Sequence, residues 1–242
     1  MELDVLAIGA HPDDVELGCA GTVAKLVKLG HKVGILDMTQ GELGTRGTKQ
    51  IRAQEAAEAA KILGVSVREN LKIPDGNVEM TKANQLKVIK VLRKYRPKIL
   101  LIPNHHDRHP DHVHASRLAQ EAWFYSGLVN IKTTLGGKVQ KPWRAHYYFN
   151  YMMKYEFTPS FVIDISDVYE IRQKAVRAYK SQFFDPNSNE PETLLSKKTF
   201  LDFIDTRAKF YGQMIGVEYG DPLYSVKPFG VNDLFDLKIM RG

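Results

Sequence analysis

Two short segments carry most of the side chains able to do chemistry. Ala10-His11-Pro12-Asp13-Asp14-Val15-Glu16 sets an imidazole and two adjacent carboxylates directly after the apolar stretch Leu3–Gly9. Far along the chain, Arg108-His109-Pro110-Asp111-His112 repeats that chemistry after a second apolar run, Ile99–Ile102. Imidazole nitrogens and carboxylate oxygens together suit a borderline divalent ion, and two such segments read as two halves of one metal site. The chemistry this predicts is hydrolysis.

The two segments need elements that deliver them to one place. Leu3–Gly9 reads as a strand, with a helix from about Val15 to Leu29 stopped by Gly30 and a second strand over Lys32–Met38. A glycine-rich loop, Gly41 to Gly47, leads to Thr48 as helix cap, and that helix ends at Leu63 before Gly64. Ser66–Ile73 is expected as a third strand, Lys82–Tyr95 as a third helix and Lys98–Ile102 as a fourth strand, with helix again over His112–Trp123. Such alternation predicts an α/β fold of three αβα layers, built on a doubly wound, mostly parallel, Rossmann-like sheet.

The second half is less regular. It reads as a polar loop at Thr134–Pro142 and strands at Ala145–Tyr151 and Phe161–Ile165. Asp167 and Glu170 resemble a capping box opening a helix to about Gln182. A loop over Phe184–Pro191, a helix from about Leu194 to Met214 and a short tail complete the chain. With no internal repeat and no low-complexity linker, residues 1–242 are expected to form one domain.

In a sheet ordered 3-2-1-4, strands one and four are neighbours, and ligands bind outside the carboxyl ends of the strands at that crevice. Both histidine-aspartate segments follow those two strands. Consecutive Asp13 and Asp14 point in different directions, so one suits a metal and the other a proton acceptor beside it. His109 and His112 lie one helical turn apart around Pro110, a residue favoured at the first helical position. Asp111 is placed to orient an imidazole. A lone His-Pro-Asp is usually a turn, and Asp before a helix usually a cap; two such segments after two strand ends favour a site. His31, His105, His106, His114 and His146 read as incidental surface histidines, and Cys19 as packed within its helix.

Arg52 shares a helix stripe with Ala56, Ala59, Ala60 and Leu63, and stands at the end nearest the strand carboxyl termini. It is expected either at a substrate or in an ion pair with Glu55. Arg108, beside His109, is the second candidate for substrate contact. Glu42 and Arg46, on the glycine-rich loop, are weaker ones.

Composition narrows the setting. Of 242 residues, 43% are hydrophobic and 26% charged, enough apolar material for a sizeable core. Acidic Glu2 and Asp4 replace the basic start of a signal peptide, and no apolar run reaches membrane-spanning length. A lone Cys19 forms no internal disulfide and fits a reducing cytoplasm. The net charge of +6 raises the question of nucleic acid, but the basic run Lys87, Lys90, Arg93, Lys94, Arg96 and Lys98 falls largely on the outer face of an amphipathic helix with no recognised binding motif. Neither a nucleic-acid nor a membrane partner is expected. A dinucleotide-dependent oxidoreductase is disfavoured, because the first turn lacks G-x-G-x-x-G and carries two carboxylates that would repel a pyrophosphate.

At AHPDD and HPDH, with Arg52-x-x-Glu55 and Ser181-Gln182-Phe183, the chain resembles the LmbE-like (PIG-L) metal-dependent deacetylases. The resemblance implies removal of an acetyl group from an N-acetylglucosaminyl (GlcNAc) conjugate, with GlcNAc-malate of bacillithiol biosynthesis as the expected substrate. It further implies that His11, Asp14 and His112 bind zinc, a set ferrous iron also fits. Asp13 would be the general base, and His109 a protonated electrostatic or acid partner oriented by Asp111. Arg52 and Arg108 would lie at the substrate, in a small-molecule enzyme forming a homo-oligomer. Two positions depart from some relatives, which carry tyrosines where this chain has Asp107 and Phe200.

Overall fold

The structure is a computed structural model describing residues 1–234. Strands β1 (Val5–Gly9), β2 (Val33–Asp37), β3 (Val67–Asn70) and β4 (Ile99–Pro103) alternate with helices α1 (Asp14–Lys28), α2 (Lys49–Leu63), α3 (Lys82–Tyr95) and α4 (Pro110–Ser126). Beyond them lie β5 (Thr134–Leu135), β6 (Lys138–Val139), β7 (Tyr147–Tyr151), β8 (Phe161–Asp164), α5 (Tyr169–Arg177), α6 (Lys198–Met214) and β9 (Gly220–Tyr224). Among the described residues, seven strands form one sheet in the order β3-β2-β1-β4-β7-β9-β8. The first five are parallel, whereas β9 runs antiparallel to both its neighbours.

Alternation along the strands sorts the core into two layers. Leu6 and Ile8 of β1 pack with Val88, Ile89 and Leu92 of α3 and with Leu118 and Ala119 of α4. Val5 and Ala7 face the opposite side, where α1 supplies Val15, Ala20 and Val23 and α5 supplies Ala175. A third apolar cluster joins Leu17, Ala56, Ala59, Val176, Tyr179, Phe183, Phe200 and Ile204.

The helix ends follow local chemistry. Thr48 accepts a hydrogen bond from the Ile51 N–H at 3.2 Å, and Gly64 closes α2 with a left-handed φ of 72°, as the sequence suggests. Asp167 behaves differently from expectation: it does not cap α5 but pairs with Lys25 at 2.6 Å and Lys28 at 2.8 Å. α5 stops at Arg177, short of Gln182. The polar stretch expected as a loop holds the β5–β6 hairpin. The short tail contains β9, whose Gly-Asp-Pro start conceals a strand that only its two neighbours select. Arg93, counted among the surface cations, is buried and donates to the Ser126, Leu128 and Ile131 carbonyls. Among the described residues, no helix is long and apolar enough to cross a membrane.

α1 is not continuous: Cys19 has non-helical φ −152° and ψ 23°. Just before the break, the Tyr151 ring lies so close to Gly18 that a Cβ there would overlap the ring carbons. Gly18→Ala is therefore expected to destabilise the protein by about 1–3 kcal/mol through overpacking. Chemical denaturation measures it; an unchanged midpoint would mean this close approach is not a constraint.

Candidate active site

β1 and β4 are hydrogen-bonded neighbours, so the turns that follow them meet at the same end of the sheet. His11, Asp13, Asp14, Arg52, Asp107, Arg108, His109 and His112 line one cavity of about 340 Å³. Most of these side chains are fixed by a specific neighbour among the described residues, and exposed Arg108 is not. Asp14 Oδ2 accepts from the Ala10 N–H at 2.8 Å and the His11 N–H at 2.9 Å, and its Oδ1 lies 3.1 Å from His112 Nε2. Asp13 has a left-handed φ of 115°, costly for a non-glycine residue, and its carboxylate pairs with Arg52 at 2.9 Å. Arg52 also donates to the Pro12 carbonyl, so its guanidinium braces the turn that carries Asp13. The alternative partner Glu55 instead receives the Ser181 N–H and hydroxyl.

The imidazoles are oriented from behind. His11 Nε2 stands 3.0 Å from Asp75 Oδ1 and 3.4 Å from Asp111 Oδ2, leaving Nδ1 3.6 Å from Asp14 Oδ2. His112 Nδ1 is 2.9 Å from Asp107 Oδ1, leaving Nε2 toward Asp14. His109 accepts from the Asp111 backbone N–H at 3.2 Å, which caps α4. The Asp111 carboxylate itself turns to the Gly76 N–H and His11, so the imidazole it orients is that of His11 rather than His109.

Burial and charge then set the protonation states. Burial pushes Asp13 up to about 7, the Arg52 charge opposing the rise and neighbouring Asp14 adding to it. Burial would raise Asp14 too, but His112 and His11 outweigh it and hold that carboxyl well below the usual range. Burial would lower His112, yet Asp14 and Asp107 bring it up to about 9. For His109, burial and then the charges of His11 and His112 press the value below that of a free imidazole. That direction runs against the protonated imidazole expected of His109, and with Nδ1 accepting from the Asp111 N–H its proton sits on Nε2.

The donor set fits a divalent metal. Ligand atoms of His11, His109 and His112 lie within 4.8 Å of one another, with Asp14 Oδ1 beside His112. His11 and His112 each have the second ring nitrogen held by a carboxylate, the arrangement that aims a metal-binding imidazole. Sequence reasoning did not single out Asp75, and it noted Asp107 only as a departure from relatives that carry a tyrosine there. Asp75 lies in a Pro-Asp-Gly turn with no chemical signature of its own, whereas Asp107 stands directly before the second segment, where a role in holding His112 was not foreseen. The cavity's apolar wall includes Leu194, Leu195 and Phe203, which carry no local signal, and Phe200, noted above only as a departure from relatives. Of the histidines read as incidental, all five are exposed, and Cys19 is buried.

The fold and this constellation define a hydrolase class, and comparison with known proteins identifies it. Residues 6–123 match the PIG-L family model, described as GlcNAc-PI de-N-acetylase. The diacetylchitobiose deacetylase of Thermococcus kodakarensis is 32% identical over 229 residues, covering 90% of this chain and 80% of that protein. Among solved structures, conserved protein TT1542 from Thermus thermophilus is 38% identical with a TM-score of 0.84, covering 96% of this chain and 98% of that one. The N,N'-diacetylchitobiose deacetylase of Pyrococcus horikoshii is 30% identical with a TM-score of 0.77, covering 90% and 82%. The chain belongs to the PIG-L (LmbE-like) deacetylase family. It is an N-deacetylase.

A metal ligand must be deprotonated, so if His112 holds a metal its raised value would make uptake expel protons. Metal affinity should climb as pH rises toward about 9 and level off above it. Calorimetric titrations in buffers of different ionisation enthalpy count the released protons; no release near pH 7 would show that His112 is already neutral.

Proposed function

We propose that the protein is a zinc-dependent deacetylase of an N-acetylglucosaminyl conjugate, with GlcNAc-malate as substrate. The observation that carries this reading is Asp13: a buried carboxyl poised at about 7, braced by Arg52 and bordering the His11, Asp14 and His112 cluster. Those three residues would hold the metal, for which ferrous iron is a chemical alternative. When bound, the metal supplies a Lewis acid that polarises the acetyl carbonyl and acidifies water.

Ionised Asp13 takes the proton of the attacking water, a role a carboxylate near pH 7 performs efficiently. His109 Nε2–H donates to the oxygen that gains negative charge as the carbonyl becomes tetrahedral. Protonated Asp13 then returns its proton to the leaving amine, which departs as the glucosamine product while acetate is released. Arg52, besides bracing Asp13, lines the cavity, and exposed Arg108 stands at its rim. An arginine fork can hold a carboxylate with two parallel hydrogen bonds, which supports an acidic aglycone such as malate. A second reading, N,N'-diacetylchitobiose as substrate, is favoured by the similarity to the Thermococcus kodakarensis enzyme.

Metal-loaded protein should release acetate and primary amine from GlcNAc-malate with higher kcat/KM than from free GlcNAc or N,N'-diacetylchitobiose. Arg108→Ala should shrink that preference about tenfold, and a disaccharide cleaved faster would move the reading to the second substrate. Asp13→Asn should keep its metal and lose about a hundredfold or more in kcat. Because the base works ionised, the wild-type rate should rise with pH through about 7 on its acid limb. A flat acid limb, or metal loss in Asp13→Asn equal to that in His112→Ala, would remove Asp13 from the role of base.

A further inference from the structure

We propose that Arg207 is a positioning residue that staples the two halves of the active site to each other. The break in α1 frees backbone groups that an intact helix would pair internally. One is the Leu17 carbonyl, which accepts from Arg207 Nη2 at 2.8 Å. Another is the Thr22 N–H, which donates to Asp221 Oδ2 at 2.7 Å, with the Thr22 hydroxyl adding a bond of 3.0 Å. A guanidinium from α6 thus ends the first half of α1, and a carboxylate from β9 begins the second.

The two repairs differ in what else they touch. The Asp221 side chain bonds to Thr22 and attracts the Arg207 charge, whereas Arg207 has a second hand. Its Nη1 donates to the carbonyl of Met153, just past β7. The next residue, Lys154, gives its backbone N–H to Asp107 Oδ2 at 2.7 Å, and Asp107 Oδ1 holds His112 Nδ1 at 2.9 Å. On the other side, the Leu17 N–H donates to the Asp13 carbonyl at 2.9 Å, closing the turn that presents Asp13 and Asp14.

One guanidinium therefore links the Asp13–Asp14 turn with the Asp107–His112 pair, through backbone on both sides. Both of its amino groups are committed to carbonyls rather than to a carboxylate. Burial depresses it to about 10, in keeping with a cation retained for its geometry. Lysine, a single point donor on a flexible stem, cannot reproduce the two-handed span.

The inference rests on the metal-site reading, so the test includes measurements that do not depend on turnover. Arg207→Gln and Arg207→Lys are compared with Thr22→Val, which removes a hydrogen bond at the same helix break and leaves the Asp221 charge beside Arg207 in place. Both Arg207 variants should bind zinc about tenfold or more weakly, on the scale of one lost charged hydrogen bond. They should lower kcat with little change in KM and speed hydrogen exchange at the Lys154 amide. Thr22→Val should lower the melting temperature yet keep zinc affinity and Lys154 protection within about twofold of wild type, because the lost bond lies inside the break. If Arg207→Gln does not fold, Arg207→Lys carries the comparison. Zinc affinity and Lys154 exchange unchanged in Arg207→Lys, or equal losses in Thr22→Val, would overturn the staple. Turnover of no N-acetyl sugar by any form, with the zinc and exchange effects intact, would instead refute the substrate reading and leave the staple standing.

Discussion

The structure depends on compensating a concentration of buried charge at the carboxyl end of β1. Asp13, Asp14 and Glu16 lie within one turn and are all buried, together with His11. An isolated ion in such a place costs several kcal/mol, so each must meet a partner or change its protonation state. Asp14 is met by two backbone amides and two imidazoles, and it stays ionised. Asp13 has one main partner, Arg52, and its carboxyl is driven toward neutrality. The opposite protonation tendencies of two adjacent and chemically identical side chains come from that unequal compensation.

The same constraint reaches behind the site. Glu16 is fully buried and takes Arg68 at 2.5 Å, while Arg68 also grips both oxygens of Asp37 at 2.7 and 2.8 Å. This network joins α1, β2 and β3 beneath the cavity. Removing Arg68 would leave two buried carboxylates unpaired, so the network locks the relative positions of those elements even if its net contribution to stability is small. Rigid backing of this kind lets a small turn hold side chains at fixed separations.

The later elements complete the site. β7 extends the parallel sheet beyond β4 and leads into Met153 and Lys154, whose backbone faces Asp107. α6 contributes Phe200, Phe203, Ile204 and Arg207 to the cavity wall. β9 fills the space between β7 and β8 and brings Asp221 beneath α1. The parallel half therefore supplies most of the reactive groups, and the irregular half supplies their enclosure and part of their support.

What the sequence determined by itself was the alternation of elements and the convergence of AHPDD with HPDH. Apolar runs, helix caps at Thr48 and Gly64 and the switch-point rule need only local patterns and one general topology. The family resemblance rested on the same residues. Tertiary structure decided the rest. That Arg52 braces Asp13, that Asp111 serves His11 and that Asp107 serves His112 are matters of side-chain direction, which spacing along the chain does not specify. Asp75 and Arg207 reach the site from segments with no chemical signature, across 64 and 190 residues of chain. The lowered value of His109 and the elevated value of Asp13 follow from burial among particular charges, a property that exists only once the chain has closed around them.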